Sequence, residues 1–356
     1  IDTRTGGGAR QRLDDARIPA KVAQARKELG PKILAAIEGP NEYNVLERDF
    51  GYKGWVADLR RYQQKLYNAV KSDTGLRGVP VIAPALGGPN DSLYYAKLGD
   101  ISTLITYGSG HIYPNWLPFA QKVDKVLPGI RRAAPRQKIW VTETGWHQAF
   151  NSRAQWVPDS VLVKYVGRAM ASYASHPALG RVYYYQLLDP MNNPGKTKTT
   201  AHFGLMDYSL RRKPSYYAFR NTMHIMCDST PGLTPQSLRY TLSGNLGNVR
   251  SLLYQKRNRA FYLLVWVEKQ SFTRNTLIHN PPQAVTIRFE QPIRQVRMYA
   301  PSDVAGGIAK SNLPKRTFAQ PTTLRLDVVD ELTVLEVVPN GTAVPPVSTS
   351  CDFNAT

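Results

Sequence analysis

Lys138-Ile139-Trp140-Val141-Thr142-Glu143-Thr144-Gly145-Trp146 decides how the rest of the chain is read. An apolar run rich in β-branched and aromatic residues is followed by a carboxylate, a small residue, a glycine and an aromatic ring. The run is short, so it reads as a buried parallel strand rather than a helix. Its polar residues fall where the strand ends, and in a parallel barrel that end is the catalytic face. Upstream, Ile33-Leu34-Ala35-Ala36-Ile37-Glu38-Gly39-Pro40-Asn41-Glu42-Tyr43 has the same form. Two buried strands, each closed by a glutamate, put two carboxylates at one cleft. That pair is the usual equipment for hydrolysing a glycosidic bond.

Outward from these stretches, strands are expected at 33–38, 79–86, 102–107, 138–143 and 181–188. Helices are expected between them, at 54–72, 92–98, 116–133 and 159–175, with one before them at 18–30 and one after them near 216–225. Such alternation implies an α/β fold with a parallel sheet. Residues 1–17 are rich in Gly and Arg and read as a loop. After Cys227 the pattern changes to short strands at 249–254, 260–267, 284–289, 293–299, 322–328 and 333–338. These read as an all-β sandwich. The expected organisation is a catalytic domain over 1–227, a β-sandwich over 228–345 and a tail over 346–356.

The composition narrows the function. The chain has 356 residues, 42% of them hydrophobic, enough for a sizeable core. No run is long and apolar enough to span a membrane. The formal charge is +20 and the isoelectric point about 9.9. This excess fits either an ordinary solvated surface or attraction to a polyanion such as an acidic polysaccharide. The basic residues are scattered and no nucleic-acid motif is present, so nucleic acid is not expected as a partner. The two cysteines, Cys227 and Cys351, lack the spacing of a zinc site; a disulfide and two free thiols both remain open. Together with sequons at Asn90, Asn340 and Asn354, they point to a secreted or cell-envelope location. Ile1 reads as a processed or truncated start. No metal cluster or other cofactor site is apparent.

Asn41-Glu42 and Glu143-Thr144-Gly145-Trp146 together resemble the signature of clan A of the glycoside hydrolases. Phe203-Gly204-Leu205-Met206-Asp207 and Lys213-Pro214-Ser215-Tyr216-Tyr217-Ala218-Phe219 extend the resemblance, which covers roughly residues 33 to 220. The clan consists of retaining (β/α)8 TIM-type barrel enzymes, some with a C-terminal β domain. The resemblance implies that Glu42, after strand four, is the acid/base, with a raised pKa, and that Glu143, ending strand seven, is the ionised nucleophile. It implies that Asn41 binds the sugar 2-hydroxyl, that Tyr113 hydrogen-bonds the nucleophile and that His111 helps to orient it. Tyr43 and Trp146 are expected to line the cleft as sugar-stacking rings. Glu38 reads as a supporting or salt-bridged residue, since it lies inside its strand. Many relatives carry a tryptophan on strand eight, where this chain has Tyr183-Tyr184-Tyr185-Gln186.

The five strands would then be barrel strands four to eight, with one to three missing from the sequence. A separate N-terminal fragment completing the barrel is one expected partner; the other is a carbohydrate substrate. The expected activity is retaining hydrolysis of a polysaccharide or glycoconjugate, the charge suggesting an acidic polymer. The rival expectation is a catalytically inactive protein that binds carbohydrate or polyanion at the cell envelope.

Overall fold

The computed structural model describes residues 11–88, 91–150, 156–228, 233–273, 275–304 and 313–347. The first ten residues, Cys351, and the sequon residues Asn90 and Asn354 lie outside the described residues. Cys227 is disulfide-bonded. By internal contacts the chain forms two compact units.

The first unit comprises 1–113, 120–144 and 176–184. Its described part opens with helices α1 (Ile18–Glu28) and α2 (Gly30–Ile33). Strand β1 (Ile37–Glu38) leads to helices α3 (Val45–Phe50) and α4 (Trp55–Ser72), and β2 (Val81–Ile82) to α5 (Asp91–Leu98). Strand β3 (Gly108–His111) precedes α6 (Phe119–Ala133), and β4 (Ile139–Thr144) and β5 (Leu179–Tyr184) complete the series. All pairings are parallel: β1 with β2, and β3 with β4 with β5. A parallel bridge between Ile82 and Tyr107 ties β2 to the approach of β3. The strands therefore lie side by side in chain order, the arrangement that right-handed βαβ crossovers produce. Helix α4 buries Trp55, Leu59, Tyr62, Leu66 and Val70 along one stripe, as helical periodicity requires.

The strands expected at 79–86 and 181–188 are observed as Val81–Ile82 and Leu179–Tyr184, and two others differ further. Ile33 ends helix α2 and is exposed, so the first strand shrinks to Ile37–Glu38. Residues 102–107 were expected to be a strand, but Ser102–Leu104 is a single 3-10 turn and the strand is Gly108-Ser109-Gly110-His111. Glycine and serine favour turns, which hides this strand in the sequence. The cause is space. A Cβ on Gly108 would lie 2.7 Å from Ala134 Cβ, and one on Gly110 would lie 2.5 Å from Ile130 Cδ1. Only glycine lets α6 and the turn after it lie so close to the strand.

The second unit comprises 114–119, 145–175 and 185–356. It holds helices α7 (Asp159–Ala174) and α8 (Pro214–Met226) and ten strands among its described residues. These are β6 (Tyr240–Gly244), β7 (Val249–Gln255), β8 (Phe261–Val267), β9 (Phe272–Thr273), β10 (Thr276–Leu277), β11 (Gln283–Phe289), β12 (Ile293–Tyr299), β13 (Arg316–Ala319), β14 (Thr323–Val328) and β15 (Thr333–Pro339). One sheet runs β14-β11-β6 and a second β13-β12-β15-β8-β7, all antiparallel, with β9 and β10 as a separate ribbon.

The two sheets share a core that includes Phe261, Leu263, Val265, Ile287 and Leu324. The alternate residues of β8, Tyr262, Leu264 and Trp266, face a second core with Ala171 of α7 and Ile225 of α8. Strand β8 is thus covered on both faces, which explains its unbroken apolar sequence. Arg168 of α7, almost fully buried, donates to the Val267 carbonyl at 2.9 Å. Lys164 pairs with Asp330 at 2.9 Å. Inside the sandwich the buried Glu336 accepts from Tyr262 at 2.7 Å and Tyr299 at 3.1 Å, and pairs with Arg297 at 3.3 Å.

Candidate active site

Three parallel strands of the first unit deliver the site. Glu42 lies just past β1, beyond Gly39-Pro40-Asn41. Its φ is +45°, in the left-handed region that residues with a Cβ rarely occupy. Such a conformation costs on the order of 1–3 kcal/mol and persists only where the surroundings fix it. Here the Glu42 N–H donates to Ala85 O at 3.0 Å, and its carbonyl accepts from Val45 N at 3.1 Å. The fully buried Asn44 clamps Gly87 with two reciprocal bonds: Nδ2 donates to Gly87 O at 2.7 Å, and Gly87 N donates to Oδ1 at 2.9 Å. Gly87 in turn forms the floor under the Glu42 carboxylate. A Cβ there would lie 2.5 and 2.6 Å from its two oxygens.

His111 ends β3 and Glu143 is the fifth residue of β4. Their pairing follows a bulge. Gly110 is opposite Val141, but His111 is opposite Glu143, so Thr142 is the extra residue. A bulge of this kind re-aims the side chain that follows it. His111 Nδ1 lies 2.7 Å from Glu42 Oε1 and 3.5 Å from Glu143 Oε2. The Tyr113 hydroxyl donates to Glu143 Oε2 at 2.6 Å. One ligating atom from each of Glu42, His111 and Glu143 lies within 4.8 Å of the other two. The Glu42 and Glu143 side chains keep 33% and 23% exposure while His111 keeps 3%, so the carboxylates face the opening and the imidazole forms the wall.

The electrostatics follow from this crowding. Burial pushes the Glu143 carboxyl above the usual carboxylate range; the His111 charge and the Tyr113 hydrogen bond oppose the rise, and the charges of Glu42 and Glu38 add to it. Burial alone would push His111 down. The Glu42 hydrogen bond and the charges of Glu143, Glu42 and Glu38 outweigh it, leaving the imidazole above its ordinary 6.5. The site therefore favours an imidazolium set between carboxylates. The same three side chains have the reach to hold a cation.

Glu42, His111, Tyr113 and Glu143 are thus brought together. Asn41 is exposed beside them in sequence. Tyr43 is not a cleft residue: it has no exposed surface, its hydroxyl donates to Asp58 of α4 at 3.1 Å, and it accepts from Leu13 N at 3.4 Å. The left-handed turn at Glu42 sends the next side chain inward. Trp146, in the second unit, is also fully enclosed. It packs against Phe119 and Tyr165 at 5.5 and 5.1 Å between ring centroids, and its indole N–H donates to Asn115 O at 2.9 Å. Neither ring has a face free to stack on a sugar. Asn44, Gly87 and Ser109 were missed by sequence reasoning. The one hint was the Gly87-Gly88 pair directly after the second strand.

A comparison with protein-family models and one with curated proteins each give no match. Solved structures do match. The chain is similar in fold to a family 39 glycoside hydrolase from the gut symbiont Bacteroides cellulosilyticus WH2, with 17% identity over 91% of this chain and 62% of that one and a TM-score of 0.58. A monomeric β-xylosidase from Caulobacter crescentus CB15 gives 14% identity over 92% and 74%, with a TM-score of 0.57. A glucosidase from Croceicoccus marinus gives 9% over 94% and 76%, with a TM-score of 0.59. The chain spans less than two thirds of the first of these proteins. The likeness to clan A, to which family 39 belongs, holds at the level of the fold.

Proposed function

We propose that the protein is a retaining glycoside hydrolase. The observation that carries this reading is the approach of the Glu42 and Glu143 carboxylates to within 4.8 Å, oxygen to oxygen. Retaining enzymes set their carboxyl groups about 5–5.5 Å apart, whereas inverting enzymes leave about 6.5–9.5 Å for a water. Glu143, fixed by Tyr113, attacks the anomeric carbon, and the C–O bond to the leaving group breaks. Glu42 gives its proton to the departing oxygen. In the second half, Glu42 takes a proton from water, the water oxygen bonds to the anomeric carbon, and Glu143 is released. The left-handed backbone at Glu42 supports the assignment, since strain of this kind gathers at functional sites.

In this reading the five parallel strands correspond to strands four to eight of a (β/α)8 barrel. The net charge of +20 favours an acidic polysaccharide as substrate, encountered outside the cell or in its envelope. The binding-only alternative gains no support from the similar structures, which are named as hydrolases and glycosidases.

The test is a panel of aryl β-xylosides, β-glucosides and acidic oligosaccharides, followed by the matching 2-deoxy-2-fluoro glycoside. Mass mapping should find the trapped sugar on Glu143. A label on another residue, or an inverted product, overturns the reading.

A further inference from the structure

The strands that carry the reactive cluster carry a second hydrogen-bonded set. Ser109 Oγ donates to Glu38 Oε1 at 2.6 Å and lies 2.9 Å from Thr142 Oγ1. Glu38 is on β1, four residues before Glu42. Ser109 is on β3, two before His111. Thr142 is the bulged residue of β4, next to Glu143. Without the bulge, Thr142 and Glu143 would point to opposite faces; with it, one strand serves both sets. The direction of the bonds follows from the acceptor. Ser109 has one hydroxyl proton, and it goes to Glu38, so Ser109 accepts from Thr142. Ser109 is almost fully buried, and Glu38 is thereby held in one place beneath the opening.

We propose that Glu38 is a positioning residue for the Glu42–Glu143 pair, a third carboxylate locked by Ser109 and Thr142 and acting through His111. The groups acting on His111 are Glu42 and Glu38 from the β1 side and Glu143 from β4. The Tyr113 hydroxyl sits on Glu143, and the Arg48 charge of α3 interacts with Glu42. Two carboxylates for one imidazolium would leave the pair's own charges to set its protonation. The third carboxylate, which takes no part in bond making, holds the imidazole charged while Glu42 passes through its protonated and ionised forms. His111 then stays a fixed donor toward Glu42, with its charge beside Glu143, throughout the cycle.

This role rests on the hydrolase reading, and the test separates the two. Histidine-selective isotope labelling lets the His111 ring be titrated by NMR, its signal identified by its loss in His111→Asn. In Glu38→Gln, which keeps an acceptor for Ser109 but removes the charge, the His111 midpoint should move to lower pH. Glu38→Asp should return it toward the wild-type value. In parallel, the acid limb of kcat/KM should move to lower pH in Glu38→Gln, because Glu143 loses a neighbouring charge. If Glu38→Gln does not fold, Ser109→Ala frees the Glu38 carboxylate and should move the midpoint the same way, by less. An unmoved midpoint, with only melting temperature or total activity reduced, overturns the proposal and makes Glu38 structural. Absence of any glycoside cleavage by the wild-type chain would overturn the hydrolase reading while leaving the titration able to decide for or against Glu38.

Discussion

Gly87 lies against the carboxylate of Glu42 so closely that a single added methyl would fall 2.5 and 2.6 Å from its oxygens. The neighbour is the far end of a side chain rather than backbone, so Gly87→Ala should fold and push Glu42 aside. A displacement near 1 Å at a reacting group can cost about 10²-fold in rate. The expected outcome is a loss of that order in kcat with the melting temperature little changed. Steady-state kinetics and thermal denaturation of the same preparation check it.

Glu42 and Glu143 should be separable by chemical rescue. Glu42→Ala should lower turnover by roughly 10²–10⁴-fold, the usual share of acid–base catalysis. Added azide should then restore rate and give a glycosyl azide of retained configuration. Glu143→Ala with azide should give the opposite anomer, because azide then attacks from the face Glu143 held. Product stereochemistry by NMR reads the result. The same anomer from both variants would remove the assignment of roles.

The acid limb of kcat/KM should lie above the usual carboxylate range, since Glu143 must be ionised to attack and burial raises it. Tyr113→Phe removes a hydrogen bond that favours the ionised form, so the limb should move to still higher pH. A limb that moves down would mean that Tyr113 donates elsewhere in the working enzyme.

His111 links folding to pH in one direction. Its folded value is raised above 6.5, so the stability it contributes is fully present below pH 6.5 and is lost as pH rises through the folded value. The difference in melting temperature between wild type and His111→Asn should therefore shrink as the pH is raised. Differential scanning fluorimetry across that range measures it.

Overpacking should be visible at β3. In Gly110→Ala the new Cβ would sit 2.5 Å from Ile130 Cδ1, a conflict typically worth about 1–3 kcal/mol. Ile130→Val removes that methyl, so the double variant should recover part of the loss. Urea unfolding of the four proteins in the cycle measures the coupling.

The parts of this molecule that were legible in its sequence share a physical reason. The strand 139–144 and the helix 55–72 carry strong apolar patterns, and burial of those patterns is what forms them. Glu42 and Glu143 stood out because each follows such a strand. The β3 strand did not, because its sequence records the nearness of α6 rather than the demands of a sheet. Tyr43 and Trp146 misled for a related reason. An aromatic residue beside a catalytic motif has the same composition whether it faces a ligand or the core, and only the backbone turn at Glu42 and the packing around Trp146 decide. Asn44 and Gly87 act through a pair of bonds across 43 residues of sequence, which no local pattern contains.

The bare backbone of β3 has a mechanical meaning. Between most helices and sheets a layer of side chains acts as a cushion, since rotamers can absorb a small shift. Opposite Gly108 and Gly110 no such layer exists, and the methyl groups of Ile130, Ala134 and Ile139 bear almost directly on the strand. Close-packed contacts transmit strain. The strand that ends at His111 is therefore held directly by α6 and the turn after it, with no layer of side chains between them to take up a shift.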